Sequence, residues 1–251
     1  MHRFFVPPEA ITRGMVRFPE PTARQIVRVL RLRPGDTVGV LDGSGTLYRV
    51  VLDRVARNEV LGRVTSQEAA TGEPSLHLVM YMALIKVARF EWVIEKGTEL
   101  GVARFVPMVT ERSVIRDLEL SSHRRERWER IAREAAEQSG RAKVPEIEGP
   151  MTFTAACQQA ADAEVRLIGW KGERRRSLRE LIPEQEVGSV ALFIGPEGGF
   201  TPDEIAQARA QGIEPFSLGL RTLRAETAAI VAAALVMDRL GELAPGGDIE
   251  T

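Results

Sequence analysis

The sequence predicts an α/β protein in which a small, mainly β domain over residues 1–72 precedes a larger domain, residues 73–251, built on a mostly parallel sheet. Three observations predict it. Residues 37–64 read as β-prone runs around an Asp-Gly turn. After residue 76, short apolar strands alternate with helical patterns, which is the signature of a parallel sheet. Between the two textures, residues 67–74 are polar and contain Gly72 and Pro74, so they form the expected linker.

In the first domain residues 37–41 form a strand, Asp42-Gly43-Ser44-Gly45 supplies the turn, and residues 46–52 and 59–64 add two further strands. Residues 22–32 are its expected helix. In the second domain residues 76–84 are a continuous apolar run that suits a strand buried on both faces. Phe90, Val93, Ile94, Gly97 and Leu100 follow at helical spacing, and residues 105–109 make the next strand. Ser122 is placed to cap a helix over residues 123–139, with Trp128, Ile131 and Ala135 on one face. Residues 165–169 and 190–194 are short apolar strands. Thr201-Pro202-Asp203-Glu204 is a capping box with proline at the first helical position, and Gly212 ends that helix. A short strand over residues 215–218 leads towards a last helix, 226–240, which is apolar on almost every side. Such a helix must be covered all round, either in the centre of its domain or by another subunit.

Composition narrows the function classes. Cys157 is the single cysteine and His2, His77 and His123 are scattered, so neither an internal disulfide nor a metal cluster is expected. No run reaches the roughly 18 apolar residues of a membrane span, and Phe5 leads into Pro7-Pro8 rather than an apolar leader. A cytoplasmic protein without membrane contact is expected. The net charge of −1 does not advertise a nucleic-acid partner. Its distribution says more: residues 1–33 carry Arg3, Arg13, Arg17, Arg24, Arg28, Arg31 and Arg33 against Glu9 and Glu20. That excess is either a phosphate-contacting face or one more expression of a chain with 30 Arg and only 4 Lys.

Two segments could carry chemistry. The strand over residues 190–194 ends in Gly195-Pro196-Glu197-Gly198-Gly199-Phe200, immediately before the capped helix. A glycine loop between strand and helix lies at the carboxyl edge of a parallel sheet, where α/β proteins bind ligands. Missing Cβ atoms let the backbone approach a ligand closely. The loop has neither the Gly-Lys-Ser/Thr ending of a phosphate loop nor the dinucleotide fingerprint, so a nucleotide phosphate is disfavoured. The second segment, Leu218-Gly219-Leu220-Arg221-Thr222-Leu223-Arg224-Ala225-Glu226-Thr227-Ala228, leads into the apolar helix. The two loops are expected at adjacent strand ends. Arg224 and Glu226 also make sense as charges at a helix start.

Together these segments resemble the ribosomal RNA small subunit methyltransferase E family of the SPOUT class. His2-Arg3-Phe4-Phe5-Val6, Val29-Leu30-Arg31-Leu32, Glu111-Arg112-Ser113, and Glu134-Ala135-Ala136-Glu137-Gln138-Ser139 with Arg141 resemble further blocks of that family, in its order. Two stretches depart from its pattern: Thr22-Ala23-Arg24-Gln25 stands where a histidine is common, and Lys86-Val87-Ala88-Arg89 is less polar. The resemblance implies a PUA-like N-terminal β-barrel that helps bind RNA and a C-terminal α/β trefoil-knot domain. It further implies a homodimer, with S-adenosylmethionine held in the knot loops. By carry-over Ile194, Gly195, Pro196, Glu197, Gly198, Leu218, Gly219, Leu220, Leu223 and Arg224 would line the cofactor pocket, with Gly169 and Trp170 as its third wall.

The implied reaction is methylation of N3 of a uridine in 16S ribosomal RNA, within the small ribosomal subunit. Neutral uracil carries a proton on N3, so a base or an anion-stabilising group is needed. Arg224 is the candidate for stabilising charge on the uracil oxygens, and Glu226 and Glu197 are candidates for the base. Exposing a paired base costs a few kcal/mol, which phosphate contacts must offset. Arg3, Arg17, Arg28, Arg31, Arg112 and Arg141 are the candidate contacts, with Arg124 and Arg125 reading more simply as a solvated helix start. The competing readings are a knotted methyltransferase acting on transfer RNA or a ribose 2′-hydroxyl, and a non-catalytic RNA-binding or ribosome assembly factor.

Overall fold

A computed structural model of the chain describes every residue except Asn58, Glu184 and residues 245–251. The chain divides into two compact units, Met1–Glu73 with Arg133–Val144, and Pro74–Ala132 with Pro145–Thr251.

The first unit contains β1 (Arg3–Phe5), β2 (Ile11–Thr12), β3 (Met15–Arg17), α1 (Glu20–Arg24), β4 (Thr37–Leu41), β5 (Thr46–Ala56) and β6 (Glu59–Ala69). Its six strands run in the order β1-β4-β5-β6-β3-β2. All pairs are antiparallel except β1 with β4. Arg13 and Gly14, both at positive φ, turn β2 directly into β3 as a tight two-residue hairpin requires. Register shifts at Arg49/Val50 and Leu52/Arg54 mark bulges between β5 and β6. Bulges bend a strand, and here they curl the sheet around Phe4, Val16, Phe18, Ile26 and Val40. Both long strands extend further than their apolar pattern predicts. Gln67, Glu68 and Ala69 of the expected linker pair with Tyr48, Leu47 and Thr46 and are exposed, so solvent rather than a core sets their polarity. The expected helix begins earlier, at Glu20, and continues as a π-helical segment Gln25–Leu30 that ends on Arg31 in the left-handed conformation, φ 54°.

The second unit contains β7 (His77–Ala83), α2 (Val87–Glu99), β8 (Arg104–Val109), α3 (Ser122–Ser139), β9 (Glu146–Ile147), β10 (Met151–Thr152), α4 (Phe153–Gln159), β11 (Val165–Gly169), α5 (Leu178–Leu181), β12 (Ser189–Ile194), α6 (Pro202–Ala210), β13 (Glu214–Phe216) and α7 (Ala225–Arg239). Residues 133–139 of α3 belong to the first unit. The sheet runs β10-β8-β7-β12-β11-β13, with β9 also on β8, and every pair is parallel. Residues 78–83 and 190–194 are buried throughout, which is why β7 and β12 read as unbroken apolar runs. On one face Tyr81 stacks on Phe193 at 4.4 Å, and Phe153 packs edge-on against Phe193 at 6.3 Å. Phe90 of α2 stacks on Trp128 at 4.6 Å. The first turn of α3 is closed by Ser121, not Ser122: Arg124 N–H reaches Ser121 Oγ at 3.4 Å and Arg125 N–H its carbonyl at 3.0 Å.

Cys157 of α4 is 1% exposed. Burial, with the charge of Glu204 nearby, pushes its thiol up to about 12. Only the thiolate reacts, so Cys157 is expected to stay silent towards a chromogenic disulfide reagent at neutral pH and to react stoichiometrically once the protein is unfolded in denaturant. Rapid reaction of the folded protein would contradict this burial.

Residues 133–144 of the first unit settle what the expected linker does. Gly140, at φ 81°, ends α3, and Arg141 N–H donates back to the Ala136 carbonyl. Glu73 receives Arg141 through two bonds, Nη2 to Oε1 at 2.5 Å and Nε to Oε2 at 3.2 Å. Its Oε2 also accepts the N–H groups of Ala142 and Lys143. A Cβ on Gly72 would lie 2.1 Å from the Gly140 carbonyl oxygen, so the two backbones touch. The stretch is a tied corner and not a free tether.

Among the described residues no helix is long and apolar enough to cross a membrane, and no group of three or more His, Cys, Asp or Glu side chains could hold a metal ion.

Candidate functional site

Parallel pairing sends the chain out of every strand of the second unit at one edge. From β7 the chain continues to its neighbour β8 on one side, whereas the chain leaving β12 returns to β13 on the other. The boundary between β7 and β12 is therefore the switch point of the sheet, where open α/β folds form a crevice. The two glycine loops do not stand at adjacent strand ends as expected. β11 lies between β12 and β13, because strand pairing is long-range and not ordered by sequence. Gly169, the last residue of β11, and Trp170 after it accordingly emerge between the two loops.

The loop after β12 is shaped by what its glycines omit. A Cβ on Gly195 would sit 3.1 Å from the Phe200 ring, and one on Gly198 would sit 3.0 Å from Arg112 Cβ. Gly199 has φ 65°, a conformation in which a side chain is strained. Arg112, in the loop after β8, donates from Nη1 to the Gly198 carbonyl at 3.0 Å. The following helix, α6, begins with the expected capping box. Glu204 N–H donates to Thr201 Oγ1 and Thr201 N–H to Glu204 Oε2. The other oxygen of Glu204 accepts the N–H of Glu111 at 2.8 Å, which ties the loops after β8 and β12 together.

The carboxylates singled out in the sequence meet through a residue that was not. Arg89, in the first turn of α2, lies 3.4 Å from Glu197 Oε1 through Nη1 and 3.5 Å from Glu226 Oε1 through Nε. Glu226, in the first turn of α7, is 8% exposed, and its Oε2 is buried without a hydrogen-bond partner. A buried carboxylate oxygen left unpaired costs free energy, which a water or a bound group would relieve. A cation in the first turn of a helix opposes the helix dipole. Lys86 and Arg89 at the start of α2 break that rule, and this is the sequence signal that could have exposed the role of Arg89.

The remaining candidates divide. Ile194 and Pro196 are buried, and Glu197 and Gly198 are exposed. Arg224 is exposed at the N-cap of α7, and Leu223 is half-buried. Leu220 is fully exposed, so nothing in the described chain covers it. Leu218 and Gly219 line a cavity of about 520 Å³ together with Ser177, Leu178, Val231 and Leu235. That cavity is walled by one face of α7, and the residues of the loop after β12 do not line it. The switch point, where Arg89, Glu197 and Glu226 converge, is the better candidate for chemistry. Of the arginines proposed for RNA, Arg17, Arg28, Arg31 and Arg112 are exposed. Arg3 is half-buried and donates to the Gly140 carbonyl at 2.5 Å. Arg141 corrects the expectation: at 2% exposure and clasped by Glu73 it is an internal tie, unavailable to an outside phosphate.

Comparison with known proteins identifies the family. The RNA methyltransferase domain family matches residues 72–237, and the RNA methyltransferase PUA domain family matches residues 20–65. The chain is similar to the ribosomal RNA small subunit methyltransferase E of Synechocystis, 36% identical and covering 94% of this chain and 77% of that one. The enzyme of the same name from Bacillus subtilis is 32% identical, with 82% of this chain and 83% of that one covered. Among solved structures, a Legionella pneumophila methyltransferase in complex with the cofactor SAM superposes with a TM-score of 0.86 at 31% identity, covering 94% of this chain and 96% of that one. The Neisseria gonorrhoeae ribosomal RNA small subunit methyltransferase E, bound to S-adenosyl methionine, gives a TM-score of 0.81 at 27% identity, covering 95% of this chain and 97% of that one. On this similarity over nearly its whole length, the chain belongs to the ribosomal RNA small subunit methyltransferase E family.

Proposed function

We propose that this protein methylates N3 of a uridine in 16S ribosomal RNA, using S-adenosylmethionine, with residues 1–72 helping to bind RNA and residues 73–251 carrying the reaction. Residues 245–251 of that range lie outside the described residues. The observation that carries the reading is the buried, partnerless Oε2 of Glu226, with Arg224 two residues before it at the start of α7. The first is an acceptor for the imide proton. The second is a cation for the charge that proton leaves on the flanking uracil oxygens.

The switch point fits the cofactor by its chemistry. Glu197 and Glu226, two carboxylates against the one guanidinium of Arg89, favour a ligand with positive charge. By carry-over from the family, Ile194, residues 195–198, Leu218, Gly219, Leu220, Leu223 and Arg224 would hold it, so that the pocket extends from the loop after β12, past Gly169 and Trp170, to the cavity that Leu218 and Gly219 line. When bound, S-adenosylmethionine supplies an electrophilic methyl group on a cationic sulfur. The protein's part is to place the uracil in line with that methyl, to take the N3 proton on Glu226, and to steady the resulting anion with Arg224. Arg89 keeps Glu226 and Glu197 in register across the switch point. Arg17, Arg28, Arg31 and Arg112 supply phosphate contacts, and Arg3 positions α3 through Gly140.

Two further parts of the reading rest on family membership and on α7. The catalytic domain is a trefoil knot, and the protein acts in the cytoplasm as a homodimer. In support of the dimer, Leu235 is 43% exposed and lines the open cavity beside Val231 on an otherwise apolar helix. Incubation with labelled cofactor and small ribosomal subunits from a strain lacking the enzyme is expected to label a single uridine of 16S rRNA at N3. Label on a ribose, a cytosine or transfer RNA would overturn the substrate.

A further inference from the structure

The loop after β11 reads Lys171-Gly172-Glu173-Arg174-Arg175-Arg176, four cations against one carboxylate in a chain of net charge −1. The loop is built and not merely solvated. Trp170 N–H donates to the Phe216 carbonyl, Glu173 N–H to the Trp170 carbonyl, and Ser217 N–H to the Arg176 carbonyl, each within 3.0 Å. Glu173, with a side chain only 10% exposed, faces inward towards Arg209 at 3.6 Å. Its Oε1 accepts the N–H groups of Arg175 at 2.8 Å and Arg176 at 3.2 Å. The one acidic residue is thus spent on the backbone of the loop, and Arg176 is taken by Glu214 at 2.7 Å. Lys171, Arg174 and Arg175 are left exposed, with no ion pair among the described residues.

Position gives these three cations their meaning. Because β11 is flanked by β12 and β13, the loop emerges between the two segments proposed to hold the cofactor. We propose that Lys171, Arg174 and Arg175 form a phosphate-contacting strip that grips the RNA backbone beside the target nucleotide. The inference rests on the rRNA methyltransferase reading above. A base drawn out of its stack needs its flanking phosphates held. A loop pinned by backbone bonds can present cations there with less entropic loss than a free one.

The test measures binding to a 16S rRNA transcript across a range of salt concentrations. Arg174→Gln with Arg175→Gln is expected to flatten the slope of log affinity against log salt by roughly 1.4 to 1.8, the release of two contacts' counterions. Lys171→Gln should remove about 0.7 to 0.9 more. KM for RNA should rise with kcat held, while cofactor affinity and the unfolding midpoint stay at wild-type values. Arg130→Gln with Arg133→Gln on α3 makes the same change in net charge and is expected to move the slope less. An unchanged slope in the loop variant overturns the strip, as does an equal change in the α3 control. So does an effect seen on assembled subunits but absent on naked rRNA, since that would assign the loop a protein contact. Methyl transfer by the wild type is scored alongside: a wild type that binds but never methylates overturns the functional reading instead.

Discussion

Glu226→Gln is expected to slow methyl transfer by roughly 10²- to 10⁴-fold, the usual contribution of a positioned proton acceptor. Cofactor affinity should remain within a few-fold of wild type. Glutamine keeps the size of the side chain and an oxygen able to face Arg89, but it replaces a carboxylate oxygen by an amide that cannot take a proton. The competing role for Glu226 is a carboxylate at a helix start, worth only about 0.3 to 1 kcal/mol of stability. The two roles separate in measurement. Single-turnover rate, cofactor affinity and thermal midpoint are recorded on the same variant. Retention of the full rate would leave Glu226 as a helix-start charge. Loss of cofactor affinity at an unchanged single-turnover rate would assign the buried Oε2 to holding the cofactor. Arg89→Lys completes the argument, because lysine keeps the charge but loses the fork that spans Glu197 and Glu226. It is expected to lower kcat more than it raises KM.

Much of this site was legible before the fold was known, and what was not has identifiable causes. β7 and β12 announce themselves because burial on both faces removes the polar alternation that hides most strands. The loop after β12 is legible because its glycines stand where a Cβ would crowd Phe200 and Arg112, and where Gly199 takes a positive φ. The order of strands is not legible. Nothing in residues 165–169 says that they insert between β12 and β13, since that choice is made by pairing across long stretches of chain. Short α4 has a clear cap in Thr152, whose Oγ1 accepts from Ala155 N–H, but too few turns to show a periodic face. The polar end of β6 reads as a linker because a solvated strand and a loop share a composition. Arg89 is hidden beside the apolar Val87 and Ala88, and the informative fact is a cation against a helix dipole.

Arg141 failed for the opposite reason, and it carries the second large prediction. Arginine is so seldom fully buried that an arginine in a family motif reads as a surface contact. Here its side chain is 3% exposed, against 19% for that of Glu73, which receives it. Removing one partner of such a pair strands a charge out of water, and Glu73→Ala is expected to cost about 3 to 5 kcal/mol. The same substitution also leaves the N–H groups of Ala142 and Lys143 without their acceptor. For that reason Arg141→Met combined with Glu73→Leu should recover part of the loss and not all of it: the charges leave together, but the part-buried Ala142 N–H stays unpaired at about 1 to 3 kcal/mol, while the exposed Lys143 N–H turns to water. Denaturant unfolding followed by a probe in the first unit measures the ordering expected, wild type above the double variant above Glu73→Ala. The salt slope of RNA binding decides the alternative. If Arg141 met a phosphate, Arg141→Met would flatten that slope by about 0.7 to 0.9 and leave the unfolding midpoint in place. The clasp demands the reverse, a lowered midpoint and an unaltered slope in whatever protein remains folded.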